Sequence, residues 1–399
     1  MRERLIMIIV AVLTMLAPFS VDTYLPSFPD IEADLNATAV QMQQTMSIYM
    51  LGFAVMTLFY GSLSDALGRR VVILFALIGF ILTSIGAAMV DSINALLLMR
   101  LGQGAFASAG IVVGRAVVRD IFHGSRAQEV MSAIMLMFGI APAIAPIIGG
   151  MLEIYWGWRA VFVFLALLGS AVLLLVMTQL HETLPRSQRH SMHPVALLKS
   201  YTHALGKFHF LELALIIGLI FGGFFLYIAS APRIIFHHLG MGEGDFSVLF
   251  IPLIGGMMLG AYLSGRVAGR WSVRRGLQAG FSVMFIAALL NVTYNSLFPV
   301  SPLGVVVPVV IYSVGMSFCM PMLTILGLDE LPKHRGLAAS LQSFVHMLMN
   351  AVVAGVVAPL VFVDIQYLAL AMLLLYGLAL LLFLNVFRRK PLEYVVDQP

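Results

Sequence analysis

The stretch Gly61-Ser-Leu-Ser-Asp-Ala-Leu-Gly-Arg-Arg70 is a short polar turn between two long apolar runs. Each run has roughly the 20 residues that a helix rising 1.5 Å per residue needs to cross a bilayer. One aspartate and two arginines in so short a loop pair with each other or bind lipid phosphates. Glycines let the two helices turn sharply. The stretch therefore predicts a tight connection between two membrane-spanning helices.

The composition agrees with a membrane protein. Of the 399 residues, 61% are apolar and only 11% are charged, whereas a soluble domain carries about 25% charged residues. The bilayer must therefore be the solvent. The single cysteine, Cys319, lies in an apolar run, so we expect no disulfide framework and no metal site. Because the basic residues lie in loops beside the runs, we expect a lipid bilayer and no nucleic acid as a partner.

Twelve apolar runs predict an all-α membrane protein with twelve transmembrane helices. The run at Leu5 to Val21 resembles a signal peptide but is too long, so we expect it to be retained as part of the first span. A polar, basic stretch splits the chain six plus six, which predicts helix bundles at 1–182 and 209–399 and a cytoplasmic linker at 183–208. The runs are about 5–28, 41–63, 71–90, 94–117, 127–150, 158–180, 210–231, 246–265, 276–297, 304–327, 336–360 and 364–387.

The distribution of basic residues predicts the orientation. With the N-terminus inside, only Arg159 and Arg233 fall on the outer side, and Arg100 and Arg115 lie within the fourth run. The inner side then receives the other 19 of the 23 Lys and Arg residues. We expect a multi-pass protein with both termini in the cytoplasm.

An internal repeat relates the two halves. Residues 265–275 follow the eighth run and lie 204 positions after Gly61. They form a degenerate copy of the opening stretch that keeps the arginines but has Gly269 where Asp65 stood. Matching loops at matching places predict two pseudo-symmetric six-helix halves, with the substrate path between them.

Two charged residues fall within predicted spans. Asp22 lies about 26 Å along the first helix from its inner end, and Arg100 has a similar depth in the fourth run. A carboxylate at that depth costs a few kcal/mol unless it is paired, protonated or facing water. We predict a proton-coupling pair, in contact directly or through water. The alternatives are an Asp22 in a wet outer loop beyond the helix and an Arg100 that extends to the interface.

The fifth run contains Pro142, Pro146, Gly149 and Gly150. Such a span can kink and let neighbouring helices approach closely in a membrane. The pattern predicts a conformational element, with a generic kinked helix as the alternative.

In the eleventh run, Gln342, His346 and Asn350 are spaced i, i+4 and i+8 and share one helix face. This polar stripe predicts substrate hydrogen bonding or, through His346, proton sensing, with interhelical hydrogen bonding as the alternative. Two aromatic residues, Tyr24 and Tyr227, are further candidate substrate contacts.

These motifs resemble those of the major facilitator superfamily. Its signature loop, G-x-L-x-D-x-x-G-R-R, is matched at every specified position. Arg100-Leu-Gly-Gln-Gly104 resembles the fourth-helix motif R-x-x-Q-G, and Ala145-Pro-x-x-Gly-Gly150 resembles the antiporter motif with alanine replacing the first glycine. Other stretches, including residues 22–29, resemble the bicyclomycin-resistance (Bcr/CflA-type) exporters. The signature positions are Gly61, Leu63, Asp65, Gly68, Arg69 and Arg70.

The resemblance implies the major facilitator fold and a monomer in the bacterial inner membrane. It implies a proton-coupled antiporter that exports small drugs or metabolites from the cytoplasm by alternating access, which would make it a multidrug efflux and antibiotic-resistance protein. The proton gradient would replace any cofactor. The alternative is a facilitator or proton symporter for a small metabolite or sugar. No catalytic cluster or nucleotide-binding motif indicates an enzyme.

Overall fold

The computed structural model describes residues 2–189, 201–202 and 204–389, and this part of the chain folds into helices and turns. Twelve helical segments in it are long and apolar enough to cross a membrane, judged by length and composition. The predicted all-α, twelve-span architecture is therefore confirmed. In the first half, the main helices are α1 (Arg2–Asp22), α2 (Ala39–Leu67), α3 (Arg69–Ala88), α4 (Ile93–Ile121), α5 (Gly124–Trp156) and α6 (Trp158–Gln179). In the second half, they are α7 (Phe208–Ala229), α8 (Ser247–Val267), α9 (Val273–Leu297), α10 (Pro302–Asp329), α11 (Arg335–Val352) and α12 (Ile365–Arg389).

The outer faces of these helices are apolar. On α3, for example, Phe75 is 60% exposed and Leu82 is 62% exposed. Such faces are stable where hydrocarbon covers them, and helices are the natural element there because they satisfy their own backbone hydrogen bonds. The same helices bury their other faces inside the protein.

The first span is broken near its outer end. α1 ends at Asp22, a 3₁₀ turn covers Leu25–Ser27, and a short helix covers Phe28–Asp34. Pro26 and Pro29 lie at the starts of these two elements, where the missing proline N–H groups are tolerated. The predicted continuous run at 5–28 is therefore divided, and the division follows Asp22 directly.

By internal contacts, the chain divides into two compact units, Met1–Val195 and Ala196–Pro399. The dividing point falls within the predicted linker, and the exact domain bounds stay a prediction. Inside the first unit, α2 packs on α4, α3 on α4 and α6, and α1 on α4, α5 and α6. Inside the second unit, each of these pairs recurs six helices later, from α8 with α10 to α7 with α10, α11 and α12. The internal repeat seen in the sequence therefore extends to helix packing.

Candidate functional site

Asp22 is the last residue of α1 and is 4% exposed. The helix ends there, as the wet-loop alternative supposed, but the side chain is buried within the first unit. The following residue, Thr23, packs against Gly149 of α5 so closely that a Cβ at Gly149 would overlap the Thr23 carbonyl oxygen. This contact fixes the end of α1 against α5.

Arg100 of α4 is fully buried, with 0% exposure, so it does not extend to the interface. Its Nη1 donates hydrogen bonds to the carbonyl oxygen of Ser20 at 2.9 Å and to Oε1 of Gln103 at 2.6 Å. The guanidinium carbon lies 4.7 Å from the ring centre of Tyr24 and 4.4 Å from that of Tyr49. Two aromatic faces and two oxygen acceptors together stabilise a cation that water cannot reach.

The motif around Arg100 explains part of this arrangement. Gln103 is one helical turn after Arg100, so both side chains lie on the same face of α4. The Gln103 Nε2 donates to the Ser84 hydroxyl at 2.8 Å, and that hydroxyl donates to the carbonyl oxygen of Phe80 at 2.7 Å. This chain of hydrogen bonds orients the glutamine oxygen towards the guanidinium.

Of the two predicted forms of the Asp22–Arg100 contact, the direct one is not formed in this structure, and the one through water stays a prediction. Among the described residues, the Asp22 carboxylate has no ion pair, and Arg100 Nε and Nη2 have no hydrogen-bond partner. The physical reason is that the Ser20 carbonyl, Gln103 and two tyrosine rings hold the guanidinium in place. Two guanidinium nitrogens of Arg100, Nε and Nη2, can therefore still donate hydrogen bonds to a carboxylate.

The two candidate substrate tyrosines are both fully buried, with 0% exposure. The Tyr24 hydroxyl is 3.0 Å from the Thr45 hydroxyl, and its ring is one wall of the Arg100 site. The Tyr227 hydroxyl accepts a hydrogen bond from Asn291 Nδ2 at 2.6 Å, between α7 and α9. Both side chains pack in the interior of their own unit, and substrate contact by either one stays a prediction.

The polar stripe of α11 has two buried residues and a half-buried His346, and it is incompletely hydrogen-bonded. Gln342 is 6% exposed and Asn350 is 1% exposed. Gln342 Nε2, His346 Nε2 and Asn350 Oδ1 have no partner among the described residues. The His346 ring lies edge-on to Phe221 of α7, with ring centres 4.4 Å apart. Buried polar atoms normally find partners, and the assignment of this stripe to substrate binding stays a prediction.

The signature connection, residues 61–70, is a dense ionic cluster. Arg69 is only 7% exposed, and its guanidinium lies 2.5 Å from Asp65, 3.1 Å from Asp120 and 2.6 Å from the Ser64 hydroxyl. Arg70 donates to the carbonyl oxygen of Met177 at 2.8 Å. These bonds connect α2, α3, α4 and α6 at one end of the first unit.

Glu182, just after α6, completes this cluster. Its Oε1 accepts the backbone N–H groups of Arg69 at 2.9 Å, Thr183 at 3.1 Å and Leu184 at 3.2 Å. Gly68 has a φ of 103°, and a Cβ there would overlap the Glu182 carboxylate. Glycine is therefore needed at position 68 for two independent reasons. At Gly61, by contrast, an added Cβ would meet nothing within 4 Å.

Sequence reasoning missed several of these residues. Neither Asp120 nor Glu182 is among the candidate site residues that the sequence indicated. The available signal was an acidic residue at the end of α4 and another after α6, both on the side predicted for the signature connection. In the described part of the chain, no group of three or more His, Cys, Asp or Glu side chains is arranged to hold a metal ion.

Pro142 and Pro146 lie within the continuous helix α5. One turn beyond Gly149, Glu153 is 6% exposed and accepts a hydrogen bond from the Ser27 hydroxyl. The residues of the fifth-helix motif thus face the segment that follows Asp22.

An ionic clamp holds the short helix Phe28–Asp34 at its other end. Arg159 Nη1 lies 2.6 Å from Asp34 Oδ2, which also accepts a hydrogen bond from Trp158 Nε1 at 3.1 Å. Gly157, with a φ of 75°, makes the turn between α5 and α6. Together these contacts form a structural corner at the start of α6.

A histidine pair lies in the turn between α7 and α8. Partial burial and the neighbouring Arg233 and His238 lower the pKa of His237. A neutral ring fits the contact in which Arg233 Nη1 lies 2.7 Å from His237 Nε2. We find no role for this pair in the sites described above.

Comparison with known proteins identifies the family. The family model described as Major Facilitator Superfamily matches residues 10–354. The chain therefore belongs to the Major Facilitator Superfamily. This is a family of membrane transporters, and with the twelve apolar segments it makes the chain a multi-pass membrane transporter.

Three curated relatives resemble the chain over most of its length. The uncharacterized MFS-type transporter YdgK of Bacillus subtilis is 30% identical over 89% of both chains. A bicyclomycin resistance protein homolog of Haemophilus influenzae is 29% identical over 70% of both chains. Multidrug resistance protein D of Escherichia coli is 28% identical over 84% of both chains.

The fold also matches a solved structure. A bacterial homolog of the human lysosomal transporter Spinster aligns with a TM-score of 0.74, covering 98% of this chain and 97% of that one at 15% sequence identity. The expected major facilitator fold is confirmed.

Proposed function

We propose that this chain is a proton-coupled antiporter that exports small drugs or metabolites from the bacterial cytoplasm by alternating access. The observation that carries the proposal is a buried carboxylate, Asp22, with no ion pair among the described residues, in the same unit as a buried Arg100 that has two unused donors. The names of two relatives, a bicyclomycin resistance homolog and a multidrug resistance protein, support export of drugs. We infer a monomer in the bacterial inner membrane, with both termini in the cytoplasm.

The proposed cycle begins with a proton from outside binding to Asp22. A neutral carboxyl needs no counter-charge, so the unpaired arrangement of this structure fits the protonated form. When the proton leaves, the carboxylate becomes costly to bury. It can then pair with the free Nε and Nη2 donors of Arg100.

Substrate binding belongs to the polar stripe of α11 in this proposal. Gln342, His346 and Asn350 present unpartnered polar atoms that a ligand can satisfy. Drug binding favours loss of the proton, and protonation favours return to the drug-accepting state. Each charge moved inward contributes about 2.3 kcal/mol per 100 mV of membrane potential.

The test is bicyclomycin uptake into inverted membrane vesicles that carry an imposed proton gradient. We expect Asp22→Asn to abolish gradient-driven uptake, because the amide cannot gain or lose the coupling proton. Asp91→Asn is the matched control, since the Asp91 side chain is 95% exposed. Uptake by Asp22→Asn equal to that of the wild type would disprove this role for Asp22.

The runner-up is a facilitator or a proton symporter for a small metabolite or sugar. Both share the fold with an antiporter. A symporter moves protons in the same direction as the substrate, and a facilitator moves none. Substrate added to vesicles with an acidic interior should raise the interior pH for an antiporter. A fall in interior pH would identify a symporter, and no change would identify a facilitator.

A further inference from the structure

The two connections related by the internal repeat differ in how their arginines are neutralised. In the first connection, residues 61–70, Arg69 is bonded to Asp65 and Asp120. The first N–H group of α3, that of Arg69, donates to Glu182. The first unit therefore supplies its own carboxylates to Arg69 and to the start of α3, whereas Arg70 donates to the Met177 carbonyl oxygen.

The second connection, residues 265–275, keeps the arginines without the acids. All four of its arginines are exposed. None forms an ion pair with a carboxylate among the described residues, and Gly269 occupies the place of Asp65. The cluster thus concentrates positive charge on one short segment. The four residues are Arg266, Arg270, Arg274 and Arg275.

The start of α9 adds to this positive charge. Arg274 and Arg275 lie in the first turn of α9, where unpaired backbone N–H groups make the helix end partially positive. The Ser272 hydroxyl accepts one of those groups, the N–H of Arg275, at 3.3 Å. Cationic side chains at this helix end repel the dipole, so a bound anion would stabilise the segment.

The surrounding aromatic residues indicate which anion fits. Trp271 is 49% exposed and Tyr262 is 56% exposed. Arg266 Nε donates to the Tyr262 hydroxyl at 2.8 Å, with its guanidinium 5.2 Å from that ring. Because the connection joins two helices of membrane-spanning length, it lies at a bilayer surface, where tryptophan and tyrosine are enriched. Guanidinium groups match phosphate geometry, and lipid headgroups supply phosphate at this depth.

We propose that the second connection binds the phosphate headgroup of an anionic phospholipid. The lipid takes the part in the second unit that Glu182, Asp65 and Asp120 take in the first. This inference does not depend on proton coupling or on the identity of the transported substrate.

The test uses the full chain in phosphatidylcholine nanodiscs titrated with phosphatidylglycerol, with bound lipid counted by native mass spectrometry. Removing the charges of Arg274 and Arg275 as R274Q/R275Q should weaken phosphatidylglycerol binding about 25-fold, at about 1 kcal/mol per arginine. R274K/R275K should retain most of the binding. The matched control is R126Q/R335Q, because Arg126 and Arg335 are exposed arginines whose carboxylate partners each lie 2.6 Å away.

Three outcomes would overturn the proposal. One is equal affinity of the wild type for phosphatidylglycerol and phosphatidylcholine. Another is an equal loss in the control double variant, which would indicate general charge attraction. The third concerns Glu393 and Asp397 of the C-terminal sequence. If E393Q/D397N increased lipid affinity at least tenfold, these carboxylates would be the anions that pair with the four arginines in place of a lipid. We expect no change in lipid affinity.

Discussion

Arg100 shows at the scale of one residue how the fold accommodates a charge away from water. Its guanidinium lies between Tyr24 and Tyr49 and donates to one carbonyl and one amide oxygen. The planar group can stack on both rings and still keep N–H groups pointing elsewhere. The same residue can therefore be stable in this state and available to a carboxylate in another.

This geometry predicts that Arg100→Lys will not substitute for the arginine. A lysine retains the charge, but its ammonium cannot stack between two rings or offer a planar fork of donors. Losing one charged hydrogen bond costs about 1.5–3 kcal/mol, so we expect the rate of gradient-driven drug uptake to fall at least tenfold. Uptake in inverted vesicles, normalised to the amount of folded protein, measures this. The exposed Arg126→Lys is the control, and equal rates for both variants would contradict the prediction.

At the scale of elements, contacts with α5 and α6 hold the residues that follow the end of α1. Gly149 of α5 contacts Thr23, and Glu153 of α5 contacts Ser27. The clamp between Arg159 and Asp34 fixes the short helix that follows. The segment that follows Asp22 is thus outside α1 yet ordered by contacts with α5 and α6.

Gly149→Ala tests this arrangement. The new methyl group would overlap the Thr23 carbonyl and push α5 away from the end of α1. Overpacking of this kind costs about 1–3 kcal/mol, so we expect a lower thermal unfolding midpoint in detergent and a loss of uptake. Gly139→Ala on the same helix is the matched control, because a Cβ there meets nothing within 4 Å. A wild-type midpoint and wild-type uptake for Gly149→Ala would show that the close contact is unimportant.

At the scale of the whole molecule, the repeat appears in packing as well as in sequence. Every helix pair named in the first unit has its counterpart six helices later in the second. The chemistry is not repeated. The first unit contains the buried Asp22 and Arg100, whereas the second contains the polar stripe of α11, which is Gln342, His346 and Asn350. In the function proposed above, this division assigns the proton to the first unit and the polar contacts of the substrate to the second.

The proposed orientation is testable by cysteine labelling. The native Cys319 is buried, so a membrane-impermeant maleimide should react with introduced cysteines only. We expect Asp91→Cys to be labelled in intact cells stripped of the outer membrane. We expect Ser187→Cys to be labelled only in inverted vesicles, because loops rich in Lys and Arg stay on the cytoplasmic side. Labelling of Ser187→Cys in the intact cells would place the termini outside.

The sequence by itself determined the twelve spans, the internal repeat and the family. These follow from apolar run length and from short motifs, because a bilayer forces a continuous apolar stretch into a helix that satisfies its own hydrogen bonds. The burial of Asp22 and Arg100 was also predicted, since each falls inside such a run.

Only the tertiary structure decided what these residues contact. It placed the Arg100 guanidinium between two tyrosine rings, buried Tyr24 and Tyr227, and brought Glu182 to Gly68 across 114 positions of sequence. The physical reason is that a side chain's partners come from helices distant in the chain. The spacing of polar residues along the sequence predicts which face of a helix is polar. Only the packing of the helices determines which residues that face contacts.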